Sequence, residues 1–186
     1  MCLILLAWQA HPDYPLVVAA NRDEFFSRRT AAADYWDDAP DVLAGRDLEA
    51  GGTWLGFARN GRFAALTNYR DPARNNQGAP SRGELVSRFL TGSQSPAGYL
   101  AELESSAARY NGFNLVFGDS NGLWYFSNCG EGEKQLAPGV YGLSNHLLDT
   151  PWPKVAHGKS ALHDALGALP DEKPLFALLR DDRIAP

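Results

Sequence analysis

Cysteine is scarce in this chain and positive charge is in deficit, and each shortage removes a class of function. The 186 residues hold two cysteines, Cys2 and Cys129. A pair of lone thiols builds no disulfide framework, and neither stands in a CxxC unit that would suit zinc or a redox centre. The CxxCH signature of covalent haem attachment is missing too. Formal net charge is −5, so no positive field draws the protein toward phosphate backbones, and a nucleic-acid partner is not expected. No apolar run reaches the roughly eighteen residues of a membrane span. The apolar opening MCLILLAW lacks a basic flank and gives way to Gln9, His11, Pro12 and Asp13, too early for a secretory signal, which predicts a cytoplasmic protein. Gly51-Gly52 lacks the Lys-Ser/Thr of a phosphate loop. His11, His146, His157 and His163 show no metal-ligand spacing apart from one helical neighbour pair and read as surface or capping residues, so no metal is expected. Internal repeats and low-complexity segments are absent as well.

What remains is ordinary: 45% hydrophobic and 21% charged residues in a chain long enough for one core, read as a single domain over 1–186. Apolar runs at Cys2 to Trp8 and Leu16 to Ala20, separated by a turn at His11 to Asp13, predict a hairpin. A polar stretch follows. Thr53 to Ala58 and Arg62 to Thr67 flank Arg59-Asn60-Gly61, whose Asn-Gly pair favours a tight hairpin turn. Ser81 with Glu84 reads as a capping box for a helix carrying Leu85, Val86, Phe89 and Leu90, and Ser95-Pro96 opens another with Leu100, Leu103 and Ala107. Arg70 to Pro80 reads as a loop. Phe113 to Phe117 and Leu123 to Phe126 form a third hairpin, Tyr141 to Ser144 a further strand, and Thr150-Pro151 caps a helix with Val155, Leu162, Leu166 and Leu169. Strands grouped in hairpins with grouped helices predict an α+β fold of antiparallel sheets covered by helices, and argue against a βαβ array.

Cys2 stands directly after the initiator methionine. If Met1 is removed, one residue carries both a thiol and an α-amine, a nucleophile with its own base, since an amine of pKa about 7.7 to 8.0 accepts a proton near neutrality. On spacing alone, a small apolar residue opening a buried strand is the commoner reading. The tetrad Asn21-Arg22-Asp23-Glu24 ends an apolar strand with four polar groups. It reads either as a solvated turn with local ion pairs or as side chains gathered at a site.

Seven ordered blocks bear on the choice: MC at the start, AANRDEFF from Ala19, GGTWLG from Gly51, TNYRDP from Thr67, SRGELV from Ser81, YNGFNLVFGD from Tyr110 and GLSNHLLDTPWPKV from Gly142. Together they resemble the NRDE proteins, also called the transport and Golgi organisation family. That family is similar to cysteine-type N-terminal-nucleophile hydrolases such as bile-salt hydrolases and penicillin V acylases, which implies a four-layer αββα sandwich of two mainly antiparallel sheets.

The resemblance implies Cys2 as nucleophile, Asp23 orienting its amine, and Asn68 and Asn145 serving the oxyanion. A neutral amide suits that last task because its N–H groups stabilise developing negative charge. Without the resemblance, both asparagines read as turn residues. Asn21, Arg22, Glu24, Trp54, Tyr69 and His146 fall to substrate contact. The implied activity is amide hydrolysis or acyl transfer on a small acylated molecule, without a cofactor. The alternative is a non-enzymatic carrier of haem or of lipid and acyl-coenzyme A that uses the same cleft. Two departures stand out. Ala19 and Ala20 occupy the place where those hydrolases carry an arginine. The sequence ends at Pro186, before the Gly-Thr-Arg strand of the family, so either a C-terminally truncated form or a short variant, with one layer short of strands, is the expectation.

Overall fold

In the computed structural model, which describes residues 2–71, 76–130 and 132–180, the apolar run after Cys2 forms β1 (Leu3–Trp8). It pairs antiparallel on one side with β2 (Leu16–Asn21) and on the other with β10 (Gly139–Leu143), giving a three-stranded sheet. Leu5 lies opposite both Ala19 and Gly142. A second sheet runs in sequence order through seven strands: β3 (Thr30–Trp36), β4 (Ala39–Asp47), β5 (Leu55–Ala58), β6 (Phe63–Asn68), β7 (Phe113–Asp119), β8 (Gly122–Ser127) and β9 (Gly132–Gln135). Every pairing in it is antiparallel. Helices α1 (Gly83–Thr91) and α2 (Pro96–Ser106) lie in the connection from β6 to β7, and α3 (Pro153–Leu166) and α4 (Lys173–Leu178) follow β10.

The layering follows from where alternate side chains go. Successive residues of a strand point to opposite faces, so a strand buried on both faces reads as an unbroken apolar run. In β1, Ile4, Leu6 and Trp8 meet Phe63, Ala65, Val116 and Leu123 of the larger sheet. Leu5 and Ala7 turn the other way onto Leu162 and Leu166 of α3. In β6 and β7, Ala64, Leu66, Leu115 and Phe117 face Leu85, Val86 and Phe89 of α1 and Leu103 of α2. Three apolar layers therefore separate helix, sheet, sheet and helix, which is the expected αββα sandwich. Phe89, Tyr99 and Phe117 meet with ring centroids 5.1 to 5.5 Å apart, the tilted and edge-on geometry that aromatic quadrupoles favour.

Local signals hold unevenly. The Asn60-Gly61 turn closes as expected, with Gly61 at φ 84°, a conformation that glycine adopts without steric cost. Ser95 caps α2, its hydroxyl accepting the Gly98 N–H at 3.1 Å. Replacing it by alanine should cost about 1 kcal/mol, measurable as a shift in the urea midpoint. The Ser81 capping box does not form. Gly83 opens α1, with Arg82 as the N-cap residue and no side-chain cap, because the helix start is seated against Gly52, where an added Cβ would come within 2.6 Å of Gly83. The Glu84 carboxylate instead accepts from the Tyr110 hydroxyl. Helix α3 begins at Pro153 rather than at Thr150-Pro151, since the Thr150 hydroxyl is bonded to Leu147 O at 2.7 Å.

The polar stretch after Asn21 holds strands β3 and β4, and β9 and α4 are likewise additions to the sequence reading. The 70–80 loop is described apart from 72–75, which lie outside the described residues along with Met1, Glu131 and 181–186. Among the described residues no helix is long and apolar enough to cross a membrane, and no group of three or more His, Cys, Asp or Glu gathers as a metal site would require.

Candidate functional site

The strand ends of the two sheets meet around one cleft of about 800 Å³, within the size range of small-molecule sites. β1 begins beside Cys2, β2 runs out into Arg22, Asp23 and Glu24, and β6 ends at Asn68, and all five of these residues line the cleft. Trp54, Leu55 and Leu66 also line it, while β3 and β4 contribute an apolar wall of Ala31, Ala33, Leu43 and Ala44. The start of α1 closes it with Ser81, Arg82 and Gly83.

Cys2 is half-buried and tied to the end of β2, its Sγ accepting the Asp23 N–H at 3.4 Å. The Cys2 carbonyl accepts the Ser144 hydroxyl at 2.7 Å and the Lys154 ammonium at 3.2 Å. Residues remote in sequence thus fix the main chain that carries the thiol. Burial pushes the Cys2 thiol above its ordinary pKa, and Glu24 adds to this, whereas the cations Arg22 and Lys154 pull the other way without reversing it. A raised value keeps the thiol protonated at neutral pH. In the Met1-bearing chain, iodoacetamide should therefore label Cys2 slowly at pH 7, with a rate that climbs as pH passes beyond the usual thiol range near 8.5. Peptide mass spectrometry across a pH series reads this directly, and a plateau below pH 8 would contradict it.

The remaining residues singled out in the sequence fall into two groups. Arg22, Glu24 and Trp54 line the cleft together with Cys2, Asp23 and Asn68. Arg22 and Glu24 pair across 3.5 Å, and Glu24 lies 4.0 Å from Arg28, which is itself held by Asp47 at 2.6 Å. Asn145, Asn21, Tyr69 and His146 do not line it. Asn145 supports it from one step away, its amide donating to Asn68 O at 3.0 Å. The Asn21 amide is spent on Leu179 O at 2.7 Å. The Tyr69 hydroxyl and His146 Nε2 lie 3.0 Å apart. The His146 ring also packs beside Trp152, and its Nδ1 lies 2.9 Å from the Thr150 hydroxyl.

Beneath the strand ends lies a polar network that the sequence reading did not include. Asn114, fully buried on β7, donates to Thr67 Oγ1 at 3.2 Å and to His146 O at 3.0 Å, and accepts from the Tyr125 hydroxyl at 2.8 Å. Thr67 in turn donates to Ser144 O at 2.5 Å. The larger sheet is thereby hydrogen-bonded to the segment that follows β10, whose Ser144 hydroxyl holds the Cys2 carbonyl.

Residues 1–186 match the family model described as Transport and Golgi organisation 2. The chain belongs to that family. It is 45% identical over 179 residues to the Transport and Golgi organization protein 2 homolog of Bos taurus, covering 89% of this chain and 64% of that protein. The Mus musculus homolog is 43% identical over 195 residues, covering 96% of this chain and 70% of that protein. The chain thus spans roughly two thirds of these members of the Transport and Golgi organisation 2 family. Among solved structures, the Caenorhabditis elegans N-acylethanolamine-hydrolyzing acid amidase ortholog superposes with a TM-score of 0.56 at 9% identity, over 96% of this chain and 86% of that one. The likeness is one of fold, and the fold is that of the N-terminal-nucleophile hydrolases.

Proposed function

We propose that this protein cleaves an amide in a small acylated molecule, with Cys2 as the nucleophile once Met1 has been removed. The observation that supports this reading best is the seating of Cys2. Its sulfur lies at the cleft, its carbonyl is bonded to both Ser144 and Lys154, and Asp23 N–H donates to Sγ. In this reading the freed α-amine takes the thiol proton and the thiolate adds to the acyl carbonyl, forming a tetrahedral oxyanion. Collapse expels the amine, which recovers its proton from the Cys2 ammonium. The remaining thioester is opened by water. Asp23 orients the α-amine. Asn68, on the cleft and held through its carbonyl by Asn145, is the amide available to the oxyanion.

The deciding experiment compares the Met1-bearing and Cys2-first proteins. Exposure of the α-ammonium next to the thiol should lower the thiol pKa, so Cys2 of the processed protein should alkylate at pH 7 faster than Cys129 and faster than Cys2 of the unprocessed protein. An N-dodecanoyl amide should leave a transient acyl adduct on Cys2 by intact mass. Equal labelling of the two cysteines in the processed protein, or none on Cys2, would count against the nucleophile.

One observation favours a second reading, that of a carrier. Burial raises the Cys2 thiol in the chain as it stands, and a protonated thiol suits binding better than attack. Haem, lipid or acyl-coenzyme A would then be cargo. Cys2 is the one cysteine or histidine among the described residues lining the cleft, so haem would have a single soft donor there. Ligand-induced thermal stabilisation of a protein that never forms an adduct would support it.

A further inference from the structure

The cleft is electrostatically lopsided. Four arginines line it, Arg22, Arg28, Arg46 and Arg82. Three are answered by carboxylates: Arg22 by Glu24, Arg28 by Asp47, and Arg46 by both oxygens of Asp38. Arg82 is different. Among the described residues the one hydrogen bond of its side chain runs from Nη1 to the Gly112 carbonyl at 3.0 Å, and no carboxylate comes within ion-pair distance. A guanidinium has five N–H donors in a planar fork, so most of its donor capacity is unspent. Neighbouring polar groups do not use it. The Asn111 amide is bonded at both ends to the Asn76 main chain, at 2.7 and 2.9 Å.

Burial lowers the pKa of Arg82, with Glu24 working against that and Arg28 adding to it. The charge is thus carried in a partly desolvated place with one carbonyl partner and no carboxylate among the described residues within ion-pair distance, a costly arrangement unless something else completes it. Strands β3, β4 and β5 contribute apolar residues to the same cleft: Ala31, Ala33, Leu43, Leu55 and Phe57.

The geometry points to Arg82 as a carboxylate subsite, so that the ligand is an amide with an aliphatic acyl chain on the β3–β4 wall and a carboxylate on its amine half. This rests on the amide-hydrolase reading above and adds the class of substrate to it. An acyl half that fills an apolar wall carries no anion of its own, so the charge that meets Arg82 belongs to the leaving amine, as in an N-acyl amino acid. Cleavage then consumes one water and yields a fatty acid and an amino acid. The planar fork of arginine matches a carboxylate through two parallel N–H bonds, a geometry that lysine does not reproduce.

The test uses Cys2→Ala protein, which cannot turn the probes over, titrated calorimetrically with N-dodecanoylglycine and with neutral N-dodecanoylethanolamine. The glycine conjugate should bind about tenfold more tightly or better, and Arg82→Gln in the same background should bring the two affinities together. Equal affinities in the parent, or a preference that survives Arg82→Gln, would overturn the subsite. Should Arg82→Gln fail to fold, Arg82→Lys is read instead. A preference cut severalfold supports the fork, and an unchanged one removes it. Turnover separates the two readings: a Cys2-first enzyme that cleaves both amides with equal kcat/KM keeps the hydrolase and loses the subsite. Preferential binding without any turnover keeps the subsite and loses the hydrolase.

Discussion

Cys2→Ala is expected to lower hydrolysis of an N-dodecanoyl amide by roughly three orders of magnitude or more, the scale on which removing a covalent nucleophile acts. The fold should barely register the change. The bonds that anchor this residue engage its carbonyl, which alanine keeps, with Ser144 at 2.7 Å and Lys154 at 3.2 Å. What alanine loses is a sulfur that accepts the Asp23 N–H at 3.4 Å and donates to Asp23 O at 3.7 Å, weak sulfur contacts whose removal should cost about 1 kcal/mol. Activity and stability thus part company, which distinguishes a nucleophile from a packing residue. The measurements are kcat/KM on the Met1-free protein and a urea unfolding curve for each form. Residual activity within tenfold of the parent would remove Cys2 from the chemistry, and a stability loss above about 2 kcal/mol would show that its role is structural.

The elements legible in the sequence are those whose burial is two-sided. β1, β6 and β7 lie between layers, so their sequences are continuous apolar runs, and the hairpins they form are marked by turn residues such as Asn60-Gly61. β3 is an edge strand whose residues are exposed up to Trp36, and its small and charged side chains carry neither alternation nor an apolar run. β9 is the opposite edge and reads Gly-Glu-Lys-Gln. The loss matters for the site, because β3 supplies part of the apolar wall of the cleft. Within the site, Cys2, Asp23 and Asn68 reach one cleft because they stand at strand ends, which periodicity locates. Ser144 and Lys154 act on Cys2 across 142 and 152 positions of sequence, and no local pattern encodes such a pairing. Tyr69 and His146 show the converse. Both stand in motif blocks that suggested ligand contact, yet their polar atoms are spent on each other and on Thr150.

Asn114→Ala should destabilise the protein by about 3 to 4 kcal/mol, near the upper range for a single substitution. Asn114 is fully buried and makes three hydrogen bonds, to Thr67 Oγ1, to His146 O and from the Tyr125 hydroxyl. Alanine leaves the His146 carbonyl without that donor and the Tyr125 hydroxyl without that acceptor. Each orphaned group costs its desolvation, about 1 to 3 kcal/mol where no water enters. Tyr125 can keep the bond it accepts from Leu148 N–H at 3.2 Å, so it holds its place but not its proton's partner. For a chain of this size the loss corresponds to a fall in Tm of roughly 10 °C. Thr67 Oγ1 would lose one partner while still donating to Ser144 O at 2.5 Å, and Ser144 is the residue whose hydroxyl holds the Cys2 carbonyl. The damage should therefore reach the site: at a temperature where the variant is fully folded, Cys2 alkylation in the processed protein should depart from the parent rate, while Cys129 labelling stays the closer of the two to its parent value. Asn114→Asp should be no milder, since a carboxylate offers no N–H to His146 O and is costly to ionise in a buried site. A stability change below about 1 kcal/mol for the alanine variant would mean that water replaces the amide, and that Asn114 is not what ties β7 to the segment after β10.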